Sequence, residues 1–187
     1  VHMAGFSAAS KVQNIVSTVF IAFGATIATY VGQNRGAGQM DRVCKGVYMT
    51  QGMSLICSFV LMAVIYLFGR YCIIIFVDPS ETEVIQAAQT YFVTVAWAYP
   101  FLGSIFLYRN ALQGMGYGLV PMLGGVFELA ARTGIVLWVA GKASFAGVCL
   151  SDPAAWVAAL IPLVPYYFWV MKKQKDENTV FPKTQME

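Results

Sequence analysis

Four stretches of this chain, 12–34, 46–69, 84–108 and 153–171, contain no Asp, Glu, Lys or Arg. A helix needs about 20 largely apolar residues to cross the hydrocarbon core of a bilayer, and each stretch is of that order. A fifth, 118–141, is interrupted only by Glu128 and Arg132. Backbone polar groups find no water in lipid, so only helices and closed barrels span it. The strict alternation of a barrel strand is absent. The sequence therefore predicts an all-α, polytopic membrane bundle of five transmembrane helices, over about 3–34, 46–69, 84–108, 118–141 and 153–171. A polar tail, 172–187, follows and is expected to be disordered.

Composition agrees. The 187 residues are 58% hydrophobic and only 11% charged, against roughly 25% charged in soluble domains. A net charge of +3 without a basic arm gives no footprint for nucleic acid. The four cysteines, Cys44, Cys57, Cys72 and Cys149, form no C-x-x-C, and His2 is the one histidine, so neither a zinc nor an iron–sulfur site is indicated. No phosphate loop, H-E-x-x-H or G-x-S-x-G is present, which argues against an enzyme. The opening Val1-His2-Met3 has no charged n-region or cleavage site. It reads as a piece of a longer protein, the alternative being an unusual short one.

Charge placement predicts orientation. Arg35, Arg42, Lys45, Arg109, Lys172, Lys173, Lys175 and Lys183 fall on one side of the five spans. Arg70 and Lys142 fall on the other, with the acids Asp78, Glu81, Glu83 and Asp152. The positive-inside rule then puts the C-terminus in the cytoplasm of a multi-pass protein of the cell (inner) membrane. Ser80-x-x-Glu83 reads as a capping box for the third span. Gly114-Met115-Gly116-Tyr117-Gly118 reads as a tight turn before the fourth.

Three spans carry polar residues at helical spacing. Ser7, Lys11, Asn14, Thr18, Ala22, Ala25 and Thr29 share one face of the first, and Gln86, Thr90, Thr94 and Trp97 one face of the third. Thr50, Gln51, Ser54 and Ser58 form a weaker set on the second. Small and hydroxyl side chains serve close helix packing, which is the simpler reading for the second span. Lys11 and Asn14 are not packing residues, so the first stripe also reads as the wall of a watered cavity. Glu128 and Arg132 are spaced i, i+4 in the favourable acid-first order and can neutralise each other. Two readings stand: a structural ion pair, or a titratable carboxylate facing a cavity and tuned by Arg132. Tyr91, Trp97, Tyr99, Phe101 and Phe127 offer cation–π contacts or simple packing.

Several of these blocks match a family pattern. Ala8-Ala9-Ser10-Lys11 opening a span, Val31-Gly32-Gln33-Asn34-Arg35-Gly36-Ala37-Gly38 closing it and Asp41-Arg42 beyond resemble the inner loop of a MATE (multidrug and toxic compound extrusion) half. Gln113-Gly114-x-Gly116, Pro121 and Glu128-x-x-x-Arg132 are similar to the next-to-last span of its C-terminal lobe. The resemblance implies a twelve-helix, two-lobe secondary antiporter, of which this chain supplies the last five helices. It implies amphipathic, often cationic, small-molecule substrates, Na⁺ or H⁺ as coupling ion with no further cofactor, and membrane lipid and the N-terminal lobe of the same protein as partners. Family members often place a coupling acid in a helix missing here, and some in the third span. Residues 84–108 hold none, which leaves Glu128 as the expected coupling carboxylate of this half. Two other functions stay open. A flippase for lipid-linked sugars of similar architecture needs a cationic ring, for which Lys11 and Arg132 are the main resources. A non-transporting membrane scaffold or small membrane enzyme needs its stripes packed against protein.

Overall fold

A computed structural model of the chain describes residues 2–140 and 145–180, with the side chains of 140 and 175–180 left aside. The helices are α1 (His2–Gly36), α2 (Met40–Ile74), α3 (Thr82–Val95), α4 (Tyr99–Gly114), α5 (Leu119–Ala140), α6 (Phe145–Cys149) and α7 (Ser151–Val180). One 3₁₀ turn, Ala96–Ala98, joins α3 to α4. Together they make five helical rods long and apolar enough to cross a membrane: His2–Gly36, Met40–Ile74, Thr82–Gly114, Leu119–Val139 and Phe145–Gln174.

The third rod, α3 with α4, is the most buried of the five, and α1 packs on it and on α2. Helix α1 buries Ala8, Ala9, Val12, Val16, Phe20, Ile27 and Val31, three or four residues apart, which is the inward face of a 3.6-residue period. Helix α7 lies against α4 on one side and α5 on the other. Helix α5 is the least buried of the rods and leaves Leu119, Met122, Leu129, Leu137 and Trp138 exposed.

Two glycines fix the turns on the side that carries most of the lysines and arginines. After α1, Gly38 adopts φ +72°, and the Gln39 amide donates to the Asn34 carbonyl at 2.8 Å. After α4, Gly116 adopts φ +80°, and the Tyr117 amide donates to the Leu112 carbonyl at 2.9 Å. Both are left-handed helix stops that a Cβ would strain. The third rod breaks at Ala96–Ala98 because Pro100, in the first turn of α4, has no N–H to continue the ladder.

Two expectations need correction. The capping box does not form. Glu81 is the N-cap of α3 and makes no side-chain cap bond, because Asp78 takes the Ser80 hydroxyl at 2.6 Å and the Ser80 amide at 2.9 Å. The hydroxyl and then the amide hold the Asp78 carboxyl below its ordinary range. The tail is helical rather than disordered from Lys172 to Val180. A helix already nucleated in the apolar span extends at low cost through Lys, Gln and Glu, which are good helix formers. Residues 181–187 lie outside the described residues.

Candidate functional site

The polar face of α1 points out of the bundle. Ser7, Lys11, Asn14, Thr18, Ala22, Ala25 and Thr29 are all exposed. Two of its hydroxyls bond along the helix: Thr18 donates to the Asn14 carbonyl at 2.9 Å and Thr29 to that of Ala25 at 3.2 Å. Thr18, Ala22 and Thr26, with Ile15, Val19 and Thr50, line an open groove of about 910 Å³ between α1 and α2. Lys11 sits apart from it, its Nζ 5.6 Å from the ring centre of Phe76.

The stripe on the third rod does not join this groove. Gln86 and Thr90 line a separate groove of about 550 Å³ with His2, Glu83 and Phe145. Thr90 and Thr94 donate to carbonyls one turn back, and Trp97 Nε1 donates to the Thr94 carbonyl at 2.7 Å. Trp97 faces an apolar groove of about 460 Å³ shared with Ile135, Pro153 and Val157. The set on α2 turns inward, as packing requires: Ser54 and Ser58 are buried, and Gln51 donates to the Ser104 hydroxyl at 2.9 Å. Tyr91 and Tyr99 are buried as well. Of the aromatic residues singled out, Trp97, Phe101 and Phe127 remain on the surface.

The ionic residues gather into a ladder that sequence spacing showed only in part. Glu128 accepts from Arg132 at 3.4 Å, as its i, i+4 spacing predicts, and also from Arg109 of α4 at 3.3 Å. Arg132 reaches on to Asp152 of α7 at 3.2 Å. The other oxygen of Asp152 accepts the Tyr91 hydroxyl of α3 at 2.7 Å. Read in order, Arg109, Glu128, Arg132 and Asp152 alternate in sign and sum to zero, and with Tyr91 they tie four helices together. Side-chain exposure is 25% for Arg109, 26% for Glu128, 43% for Arg132 and 13% for Asp152. Charges this sheltered persist only when paired.

Glu128 is thus not the sole carboxylate on the spanning rods. Charged residues had been read as span ends, which put Arg109 and Asp152 in loops. The third rod runs past Arg109 to Gly114, and α7 starts one residue before Asp152. Both side chains therefore lie on the spanning rods. The pair is also not self-contained, since each member has a second partner.

The comparisons with known proteins agree with this architecture. A family model, MatE, matches residues 1–139. The probable multidrug resistance protein YoeA of Bacillus subtilis (strain 168) is 23% identical over 175 residues, covering 92% of this chain and 37% of the relative. The probable multidrug resistance protein YpnP of the same organism is 27% identical over 137 residues, covering 73% and 28%. Among solved structures, a MATE in complex with MaL6 superposes with a TM-score of 0.84 at 15% identity, over 92% of this chain and 39% of that one. An inward-facing multidrug resistance MATE family transporter of the MOP superfamily gives 0.81 at 14% identity, over 92% and 40%. The chain thus spans well under half the length of these relatives. With its five apolar rods and the family match over three-quarters of its length, it is a fragment of a polytopic helical membrane protein and belongs to the MatE family.

Proposed function

We propose that this chain forms five helices of the C-terminal lobe of a secondary active antiporter. The whole protein exports amphipathic, often cationic, compounds across the cell (inner) membrane in exchange for H⁺ or Na⁺, with the C-terminus cytoplasmic. The observation that carries this reading is the exposed polar face of α1 from Ser7 to Thr29. Such a face is costly against lipid and suits a water-filled cavity closed by the remaining helices of the protein. Its groove mixes hydroxyls with Ile15, Val19 and Phe23, a lining suited to a compound that is both apolar and charged. The two Bacillus relatives are named as probable multidrug resistance proteins, which supports drug export. The alternating ladder supplies ionisable groups beside the cavity helices, as ion coupling requires.

A flippase has less support. Lys11 stands over Phe76 and Arg132 is engaged by two carboxylates, so neither begins a cationic ring around a pyrophosphate.

The test is water access to α1. In the full-length protein with its native cysteines replaced, Thr18→Cys is expected to react with a water-soluble thiol reagent. A transported lipophilic cation is expected to slow that reaction. A Cys at Thr18 inert to the aqueous reagent would mean that the stripe packs against protein or lipid, and the cavity reading would fail.

A further inference from the structure

The end of the bundle that holds the Gly38 and Gly116 turns carries a row of rings and cations. The guanidinium of Arg35, in the last turn of α1, stands 5.3 Å from the ring centre of Tyr117. Tyr117 meets Tyr166 of α7 edge-on at 5.9 Å, and Tyr166 stacks on Trp169 at 5.4 Å. Trp169 in turn lies under the Lys173 ammonium at 5.5 Å. The Gln174 amide donates to the Tyr117 hydroxyl at 3.4 Å and ties the end of α7 to the turn before α5. The row therefore joins the end of α1, that turn and the end of α7.

One face of α7 leads up to this row. Ile161, Pro165, Phe168 and Lys172 recur every three or four residues and are all exposed, so an apolar track ends in a cation. Trp169, beside it, is exposed as well. Trp and Tyr rings settle at the headgroup level of a bilayer, and Lys173, folded over Trp169, holds its charge at the same depth. Among residues with described side chains, Arg35, Arg42, Lys45, Lys172 and Lys173 stand at this end against one acid, Asp41. Lys175, Asp176 and Glu177 beyond them add one net negative charge, and the end stays positive. Arg35 is half-buried and forms no ion pair with a described carboxylate. The Tyr117 ring offsets part of its charge, and an anion would offset the rest.

We propose that this face binds an anionic phospholipid. Lys172 and Lys173 hold its phosphate, Arg35 closes the positive rim across the rings, and an acyl chain lies along Phe168, Pro165 and Ile161. Ammonium and guanidinium groups are the side chains that take phosphate. A free phosphate ion would use the cations and leave the apolar track bare. A zwitterionic lipid would bring its own positive charge to a positive rim. The site goes beyond the antiport reading and does not need it: it requires only that the five rods lie in a bilayer.

Native mass spectrometry of the full-length protein in detergent, titrated with phosphatidylglycerol, reads single lipid-binding events. Each cation of the rim is expected to contribute about fivefold in affinity, so Arg35→Gln combined with Lys172→Gln and Lys173→Gln should weaken the tightest phosphatidylglycerol site about a hundredfold. Arg42→Gln with Lys45→Gln, at the same end but outside the row, should leave that site in place. Lys172→Arg with Lys173→Arg keeps the charges and should keep the site, which separates lost binding from a lost fold. Phosphatidylcholine should not fill it, and excess inorganic phosphate should not empty it. Unchanged affinity in the triple variant, an equal loss in the Arg42 and Lys45 pair, loss in the arginine variant or equal occupancy by phosphatidylcholine would each overturn the proposal. Displacement by inorganic phosphate would overturn it too, leaving a site for a free anion instead of a lipid.

Discussion

Replacing Glu128 by Gln keeps the shape and one accepting oxygen but removes the charge on which two guanidinium groups converge. At 3.3 and 3.4 Å, with an effective dielectric of about 20, each contact carries roughly 5 kcal/mol of Coulomb attraction before desolvation. Removing one partner of a fully buried pair costs about 3–5 kcal/mol. Glu128 is 26% exposed, so water relieves part of that, and a loss of about 2–3 kcal/mol is expected. That is roughly 30- to 150-fold in the ratio of folded to unfolded protein. The arrangement of the ladder makes the second-site behaviour specific. Arg109→Gln added to Glu128→Gln removes the stranded arginine and leaves Arg132 with Asp152, so stability should largely return. Arg132→Gln added instead leaves Arg109 and Asp152 each alone, so it should not. The assay is thermal unfolding of the full-length protein in detergent, followed by loss of the monodisperse species. Recovery with Arg132→Gln but not with Arg109→Gln would refute the order of the ladder.

Four other outcomes are expected. Gly114→Ala places a Cβ 2.5 Å from the backbone oxygen of Ala28, where α1 and α4 touch, so it should destabilise by about 1–3 kcal/mol. Gly52→Ala meets nothing within 4 Å and should be close to neutral in the same unfolding assay. An impermeant thiol reagent applied to intact cells should tag Ser80→Cys, and should tag Gln39→Cys and Gln174→Cys only after the cells are opened; the reverse pattern contradicts the orientation. Ser80→Ala should raise the titration midpoint of Asp78 toward the ordinary 3.8, read by the Asp78 carboxyl shift in nuclear magnetic resonance. The sign follows from linkage: a depressed carboxyl stabilises the fold above the ordinary range and ceases to as pH falls through the depressed midpoint.

The rods were legible because the bilayer imposes a length and forbids charge, and both marks are visible in a single sequence. Four of the five windows lie inside the observed helical rods; the fourth starts one residue before α5, and its last residue, 141, lies outside the described residues. The break at Ala96–Ala98 was signalled by Pro100 but hidden by the run of apolar residues around it. The outward face of α1 was legible as a stripe because helical period maps directly onto a face. The ladder was half legible. Glu128 and Arg132 are one turn apart on one helix, whereas Arg109 and Asp152 join them only because α4, α5 and α7 are neighbours, which spacing does not encode. Using charges to mark span ends also removed those two residues from view. Tyr91 reads in the sequence as an aromatic ring, whereas its hydroxyl makes the contact with Asp152, and only the approach of α3 to the start of α7 shows it. In the same way, Ser80 failed as a cap because Asp78, two residues earlier, is the nearer partner.

Inside-out membrane vesicles that hold the full-length protein offer the most direct test. A fluorescent lipophilic cation in the bath should accumulate when the lumen is made acidic or is loaded with Na⁺. Accumulation should stop when an ionophore collapses the imposed gradient. Accumulation that ignores both an imposed pH gradient and an imposed Na⁺ gradient would contradict ion-coupled export by the protein to which these five helices belong.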